Sequence, residues 1–598
     1  CGGPHRSPAA PVLDRPEPVM ASPATCVVAA LCLVAVIPWA AVKIGWGLGA
    51  TLLGASGVVA GVDITVLAAG AGMVLATLLL ARLPRRLPGS LLTVPAAFAA
   101  APLIGYGYPL LTAGLLGLLG LVDPPVVPGE PTLDVALIMV FGGLAFAGIG
   151  TALALGAVSL SGRSRPVCRP DSVGPATRVA VIGAGFAGLA AVKQLARAGL
   201  RVTLIDQRSY STFQPLLYQV ATGGLNAGDI TYPIRTFLAR HRGVRFVSDR
   251  VTGIDQERSV IDTAGGELIG YDHLIIASGA VANDFGIPGV AEHALPVYTR
   301  PDALTVRDRL FGVLEDAARS GTDTDCTVVI VGGGATGIEM AGNLAELRDH
   351  GLAESYPELR ADQVKIILVE AGDRLLAPFA PGLQRYSLDQ LRRRGVDVRL
   401  SAPITAIEAD AVRFGDGTVL PASLVLWTAG VRGSAGGAGW SLPLNRAGRI
   451  RVGPTLQVPG RPEVFAVGDA GVITANPLPQ LAQPALQTGR HAARQIIRIE
   501  RGQEPRRFRY FDKGIMATIG AGAAVVELPV GLTITGPLAW LTWLGIHIVY
   551  LLGGRNRVVT TANLAVRYLR PRGFGTIVGD PVRTPPVAEP RPRQPVGR

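Results

Sequence analysis

The chain has 598 residues, a formal net charge of +12, 17% charged residues and a mean hydropathy of +0.37. Soluble globular chains carry about 25% charged residues, so these figures exclude a uniformly soluble body and point to apolar segments set apart from an ordinary globular one. Residues 1–160 hold six Lys/Arg and six Asp/Glu, which leaves the whole positive excess behind residue 160.

The chain begins at Cys1 rather than Met, which reads as a truncated or mis-started N-terminus in preference to a lipid-modified one. Residues 1–25, rich in Pro and Arg, are expected to be disordered. Five scattered cysteines (Cys1, Cys26, Cys32, Cys168, Cys326) form no C-x-x-C pair, which argues against a zinc ribbon, an iron–sulfur site and a dithiol redox centre. No metal site and no nucleic-acid partner are expected. Hydrophobic runs follow at 26–46, 58–81, 89–121 and 133–160, each long enough for the ~20 residues that a bilayer core demands of a helix. The expectation is an all-α transmembrane region over 26–160 with about four spans, or five if a hairpin forms around Gly61–Asp63. Arg82, Arg85 and Arg86 lie between runs two and three, and Arg163, Arg165 and Arg169 follow run four. Basic loops stay on the cytoplasmic side, which also puts everything after the linker 161–177 there. No His or carboxylate pair in the runs suggests a proton path, so the region reads as an anchor.

From residue 178 the pattern is α/β. RVAVI (178–182) reads as a buried parallel strand, followed by Gly183-Ala-Gly185-Phe-Ala-Gly188, a helix from Leu189 to Ala198, and a strand 201–205 ending at Asp206. This is the strand, G-x-G-x-x-G, helix, strand, acid order of a dinucleotide-binding fold. Gly183 permits the turn, Gly185 lets backbone approach a pyrophosphate, Gly188 lets helix and strand pack, and Asp206 accepts from a ribose hydroxyl. The order recurs with TVVIV (327–331), Gly332, Gly334 and Gly337, a helix through Glu346, and a strand 365–369 ending at Glu370. Residues 272–280 and 424–431 each run a strand into small residues, with Gly279 in the first, where backbone passes close to a ligand. VFAVGDA (464–470) ends in Gly468 and Asp469, an acid placed to accept from the ribityl chain of a flavin. The fold class is therefore α/β, with two Rossmann-like domains behind the transmembrane region.

From about 178 to 570 the chain resembles the type II NADH dehydrogenases, NADH:quinone oxidoreductases that do not pump protons. The resemblance rests on VIGAGFAGLAA (181–191), FQPLLYQVATGGL (213–225), VIVGGGATGIEMAGNLAEL (329–347), VFAVGDAG (464–471), LAQPALQTGR (481–490), DKGIMATIGAGAAV (512–525) and PLAWLTWLGIHIVYLLGGRNR (537–557). It implies bound FAD in the first fold (178–325, returning at 431–530 with the quinone-site segment) and NADH in the second (326–430), with a membrane quinone as acceptor. It also implies that Glu339 lies near the nicotinamide, that Gln483 and Gln487 border the quinone headgroup, and that Lys513 lies beside the flavin ring. Many relatives carry a basic residue after A-T-I-G, where this chain has Ala521-Gly522, and the N-terminal runs are no part of the common family pattern.

Glu370 would accept the ribose 2′-OH of NADH and repel a 2′-phosphate, so NADPH is expected to be the poorer donor. Residues 536–552 are uncharged and carry Trp540, Trp543, His547 and Tyr550, followed by Arg555 and Arg557. They read as membrane-associated helices (531–570) lying at the lipid interface, with burial in a homodimer as the alternative. The tail 571–598 reads as disordered. The expected location is the inner membrane, multi-pass, with the catalytic part facing the cytoplasm. The rivals are a sulfide:quinone or ferredoxin-type reductase, and a non-enzymatic NADH-binding membrane sensor.

Overall fold

A computed structural model describes residues 108–119, 136–137, 139–148, 150–151, 177–320, 325–434 and 440–569. The chain divides into two compact units, Cys1–Arg163 and Ser164–Arg598. In the first, helical residues 108–118 and 139–148 pack antiparallel. A Cβ on Gly143 would collide with the backbone of Leu111, and one on Gly114 would lie 2.7 Å from the Val140 nitrogen. The Tyr108 and Thr151 hydroxyls meet at 3.2 Å. Glycines let the two backbones touch, which is how helices associate where no hydrophobic effect drives them together.

The expected spans at 26–46 and 58–81 lie outside the described residues, and those at 89–121 and 133–160 are described only in part. Among the described residues no helix is long and apolar enough to cross a membrane. The four-span, multi-pass expectation therefore gains no support. The expected disordered ends, 1–25 and 571–598, and all of the linker except Thr177, also lie outside the described residues.

The second unit is built on two sheets, parallel throughout except for one antiparallel edge strand in the first. The chain runs through β1 (Arg178–Ile182), α1 (Phe186–Arg197), β2 (Arg201–Asp206), the short α2 (Leu217–Ala221), β3 (Val244–Ser248) and β4 (His273–Ile276). It crosses into β5 (Ala294–Pro296), α3 (Arg300–Ser320), β6 (Cys326–Val331), α4 (Ala335–Glu346), β7 (Val364–Val369), α5 (Pro381–Arg393), β8 (Asp397–Arg399) and β9 (Leu424–Trp427). It returns with β10 (Gln457–Val458) and β11 (Arg461–Ala466), then adds α6 (Ala482–Ile499) against α1. The antiparallel strands β12 (Ile515–Thr518), β13 (Ala524–Glu527) and β14 (Thr533–Thr535) and the helices α7 (Gly536–Tyr550) and α8 (Gly554–Leu569) complete the unit.

The first sheet has the order β10-β11-β4-β1-β2-β3 and the second β5-β9-β6-β7-β8. In the first, Val181 pairs with Leu204 and Ile275; in the second, Ile330 pairs with Leu368 and Leu426. All six are buried. Strands covered on both faces need continuous apolar runs, and each buried Val, Leu or Ile stabilises the fold by about 1.5–3 kcal/mol. β5 joins the second sheet through β9, so this sheet draws on chain that precedes residue 326. In each sheet the glycine-turn strand sits between the strand that follows its helix and a later one. The carboxyl ends of β1, β4 and β11 thus lie side by side, where a doubly wound sheet opens its crevice.

Candidate active site

The two glycine turns have the same construction. Gly183 (φ +98°) and Gly332 (φ +111°) take left-handed backbone, and neither has room for a Cβ: Ala277 blocks one and Ala429 the other. A Cβ on Gly188 would overlap the Gly183 carbonyl, and one on Gly337 the Gly332 carbonyl. Gly185 and Gly334, in contrast, face open space, with nothing within 4 Å of an added Cβ. Each is the N-cap of its helix, α1 or α4, and neither helix has a side-chain cap or an acid in its first turn. Two bare helix N-termini with open approaches are anion sites. Helix α1 starts at Phe186, three residues earlier than the apolar pattern suggests, because Gly185 caps it.

The acid closing each unit grips its own turn. Asp206 accepts from the Ala184 N–H (2.6 Å) and the Arg208 N–H (2.8 Å), while burial pushes its pKa up against those bonds. Glu370 accepts from the Gly333 N–H (2.6 Å) and the Gly372 N–H (2.7 Å). Each carboxylate keeps lone pairs for a ribose hydroxyl. Gly279 (φ +77°) follows β4 and faces open space; Gly468 (φ +63°) follows β11 and donates to the Thr488 hydroxyl at 3.0 Å.

Asp469 accepts from the Tyr298 hydroxyl at 3.3 Å, and burial pushes its pKa up. The buried Arg449 supports this turn from behind, donating to the carbonyls of Asp469 (3.0 Å), Leu478 (3.3 Å) and Gly471. Neither Tyr298 nor Arg449 is marked by a motif. Their partners stand 171 and 20 residues away, so only the fold reveals them.

The remaining expected site residues gather around α4, α6, β12 and α7. Glu339, on α4, is buried against Thr518, whose N–H approaches at 3.5 Å. Burial pushes its pKa up to about 8, opposed by the Thr518 N–H and the Trp543 indole. Gln483 and Gln487 lie on one face of α6 but do different work. Gln487 uses both ends of its amide on the backbone of Phe511, donating to the carbonyl (2.8 Å) and accepting from the N–H (3.0 Å). It thereby pins the irregular segment before β12 that carries Lys513. Lys513 is exposed and donates to the Tyr550 hydroxyl at 3.3 Å. Burial pushes the Tyr550 pKa up, but Gln483 and Lys513 beside the hydroxyl pull it below its ordinary value. Tyr550 is thus the link between two expected site residues, a role its position in an aromatic helix does not suggest.

Helix α7 is apolar on both sides. Leu538, Leu541 and Ile546 are exposed, while Trp543, Leu544 and Ile548 are buried. Trp543 and His547 turn inward rather than toward headgroups. They stack on each other (4.1 Å) and continue through Phe213 (6.1 Å from His547) to Phe186 (5.8 Å further), on the first glycine-turn helix. Burial pushes the His547 pKa down to about 4, so the ring is neutral. Arg555 is exposed, but Arg557 caps the Leu551 carbonyl at 2.8 Å.

A flavin dinucleotide and a nicotinamide dinucleotide both fit these residues. The bare helix ends offer N–H groups to phosphates at Gly185 and Gly334. Ser278 Oγ, beside Gly279, and Gln480 Nε2, just before α6, are buried without a partner among the described residues. Orphaned buried groups of this kind mark places where a ligand supplies the missing bond.

A family model described as pyridine nucleotide-disulphide oxidoreductase matches residues 177–489. The type II NADH:quinone oxidoreductases Ndh and NdhA of Mycobacterium tuberculosis are 36% identical over 418 and 426 residues, covering 66% and 68% of this chain and 89% and 90% of theirs. A type II NADH:quinone oxidoreductase of Staphylococcus aureus is 32% identical over 365 residues, 58% of this chain and 88% of that protein. Among solved structures, NDH2 from Plasmodium falciparum in complex with NADH aligns with a TM-score of 0.61 at 20% identity, over 67% of this chain and 99% of that one. The sulfide:quinone oxidoreductase from Aquifex aeolicus aligns with a TM-score of 0.53 at 21% identity, over 64% and 92%. These two likenesses show the shared fold, while the sequence relatives carry the assignment: the chain belongs to the type II NADH:quinone oxidoreductase family.

Proposed function

We infer that this protein is a membrane-associated NADH:quinone oxidoreductase that holds FAD in the first fold, takes NADH at the second and delivers electron pairs to a quinone without pumping protons. The observation that carries this reading is the pair of bare glycine-capped helix N-termini in a chain of this family. FAD, when bound, supplies the two-electron chemistry between a hydride donor and a quinone. The chain's own residues supply nearness, alignment and charge. Gly183, Gly185, Gly188 and Asp206 hold the FAD diphosphate and ribose, and Gly279, Gly468 and Asp469 line the rest of that cofactor. Gly332, Gly334, Gly337 and Glu370 do the same for NADH, with Glu370 turning away a 2′-phosphate. Glu339, neutral at pH 7, keeps a proton available beside the nicotinamide. Gln483 and Gln487 border the quinone headgroup and Lys513 lies beside the flavin ring; the Tyr550 hydroxyl, which Gln483 and Lys513 both approach, links the two, and Gln487 also holds the backbone that leads to Lys513.

The exposed leucines and isoleucine of α7 favour contact with lipid. Its 15 residues span about 22 Å at 1.5 Å per residue, short of the ~30 Å hydrocarbon core. The helix therefore lies in the interface rather than across it. The multi-pass placement with the catalytic part facing the cytoplasm rests on the N-terminal hydrophobic runs and basic loops alone. The sulfide-oxidising rival needs reactive cysteines. Among the described residues the cysteine is Cys326, buried at the start of β6, with its thiol pushed up to about 12 by burial.

The test is turnover in sealed liposomes containing a membrane quinone. NADH oxidation should require the quinone and generate neither a membrane potential nor a pH gradient. Oxidation that builds a gradient, or NADH binding without turnover, would overturn the reading.

A further inference from the structure

The least expected group in the second unit is an arginine sealed into its interior from the C-terminal end. Arg567, near the end of α8, has a side chain only 6% exposed. Its guanidinium donates to Gln219 Oε1 (2.6 Å) on α2 and to Asn343 Oδ1 (2.6 Å) on α4, and it pairs with Glu346 Oε2 (3.4 Å) at the end of α4. Gln219 and Asn343 are in turn held: Gln219 donates to the Tyr218 hydroxyl at 2.9 Å, and Asn343 donates to Thr222 Oγ1. The other oxygen of Glu346 accepts the N–H of Ala521, just beyond β12. Gly224 completes the fit, because a Cβ there would collide with the Arg567 guanidinium. A buried charge with this many partners is strongly destabilising to strand, because the partner left behind has no water to replace it.

Three chain segments therefore meet at Arg567, and a fourth joins them through Glu346. α2 belongs to the first fold and packs against α3, α4 carries Glu339 four residues before Asn343, the 519–523 turn follows β12, and α8 is joined to α7 through the edge-on contact of Tyr568 with Trp540 (4.8 Å). We propose that Arg567 is a positioning residue, which bolts the C-terminal helices to α2 and α4 and so fixes the quinone-side wall of the site relative to the nicotinamide-side helix. This rests on the NADH:quinone reading. It goes beyond that reading because it gives a residue outside both dinucleotide folds control of how the acceptor is received. Ala521 is a second position beside Glu346, since its backbone N–H already bonds that carboxylate.

The experiment is a relocation of the charge, using the full-length protein with Arg567→Met, Ala521→Arg and the double variant. Three quantities are read: flavin content, the thermal unfolding midpoint, and KM for quinone and for NADH. Arg567→Met should raise KM for quinone about tenfold, with KM for NADH within about twofold. The double variant should recover most of both the midpoint and the quinone KM, a coupling between the two sites that additivity does not predict. If Arg567→Met is too unstable to purify, a double variant that can be purified with full flavin content supports the proposal, and one that cannot overturns it. A single variant that matches the parent in both KM values, or a double variant that is merely the sum of the singles, also overturns it. Failure of the unsubstituted protein to reduce quinone would instead sink the functional reading, which keeps the two failures apart.

Discussion

The carboxyl of Glu339 is enclosed by Thr518, Trp543 and Tyr218, and its pKa is pushed up to about 8 by burial, against the Thr518 N–H at 3.5 Å and the Trp543 indole. The unfolded chain releases this proton near the ordinary value of 4.5, so the folded protein binds it more tightly than the unfolded one across that interval. Stability from this group is fully present below about pH 4.5 and is lost as the pH rises through about 8. Glu339→Gln removes the titration but keeps the shape. Its unfolding midpoint should therefore match the parent at the acid end, exceed it increasingly up to about pH 8 and by a constant amount beyond, at roughly 1 °C for each kcal/mol in a unit of this size. A difference that stays constant with pH would mean that Glu339 is already ionised in the fold. Asp206 and Glu370 illustrate a different use of an acid: both are tied to backbone N–H groups of their own turns, so they shape the cradle before any ligand arrives.

Helix α6 joins the first glycine-turn helix to the segments around Phe511 and Tyr550. Gly489 lets it touch α1, since a Cβ there would strike the Ala187 carbonyl, and Thr488 bonds the Gly468 N–H. The same helix presents Gln483 toward Tyr550 and clamps Phe511 with Gln487. The two glutamines, alike in the sequence pattern, should therefore separate on mutation. Gln487→Ala removes two hydrogen bonds at about 0.5–1.5 kcal/mol each and should speed amide exchange across 511–513 about tenfold, as seen by hydrogen–deuterium exchange. Gln483→Ala should leave that exchange unchanged and weaken quinone use while NADH still bleaches the flavin colour. The reverse pattern, with faster exchange in the Gln483 variant, would contradict the assignment.

For the molecule as a whole, what the sequence made legible was local. The glycine turns, their closing acids and the strand runs lie within residues 178–206 in the first fold and 326–370 in the second, so the order that marks a dinucleotide fold is visible in one stretch of chain. The residues that only the fold revealed are joined across long stretches of chain: Arg567 to Gln219 over 348 residues and Tyr298 to Asp469 over 171. Helix α7 was legible as apolar but not by face, because both of its sides are hydrophobic and composition does not say which one meets protein. Trp543 and His547 turned inward, and Leu538, Leu541 and Ile546 outward. The N-terminal runs were legible as hydropathy alone, and among the described residues no helix meets the length and apolarity of a span.

The proposed function depends on one relay, from a nicotinamide donor through a bound flavin to a quinone, between two glycine-capped helix ends. The most direct measurement is an anaerobic spectral titration of the purified full-length chain. It should contain about one FAD per polypeptide, lose its yellow absorbance on addition of one equivalent of NADH, and regain it on addition of one equivalent of quinone. A colourless protein that takes up no FAD, or a flavin whose colour NADH leaves untouched, would contradict the account.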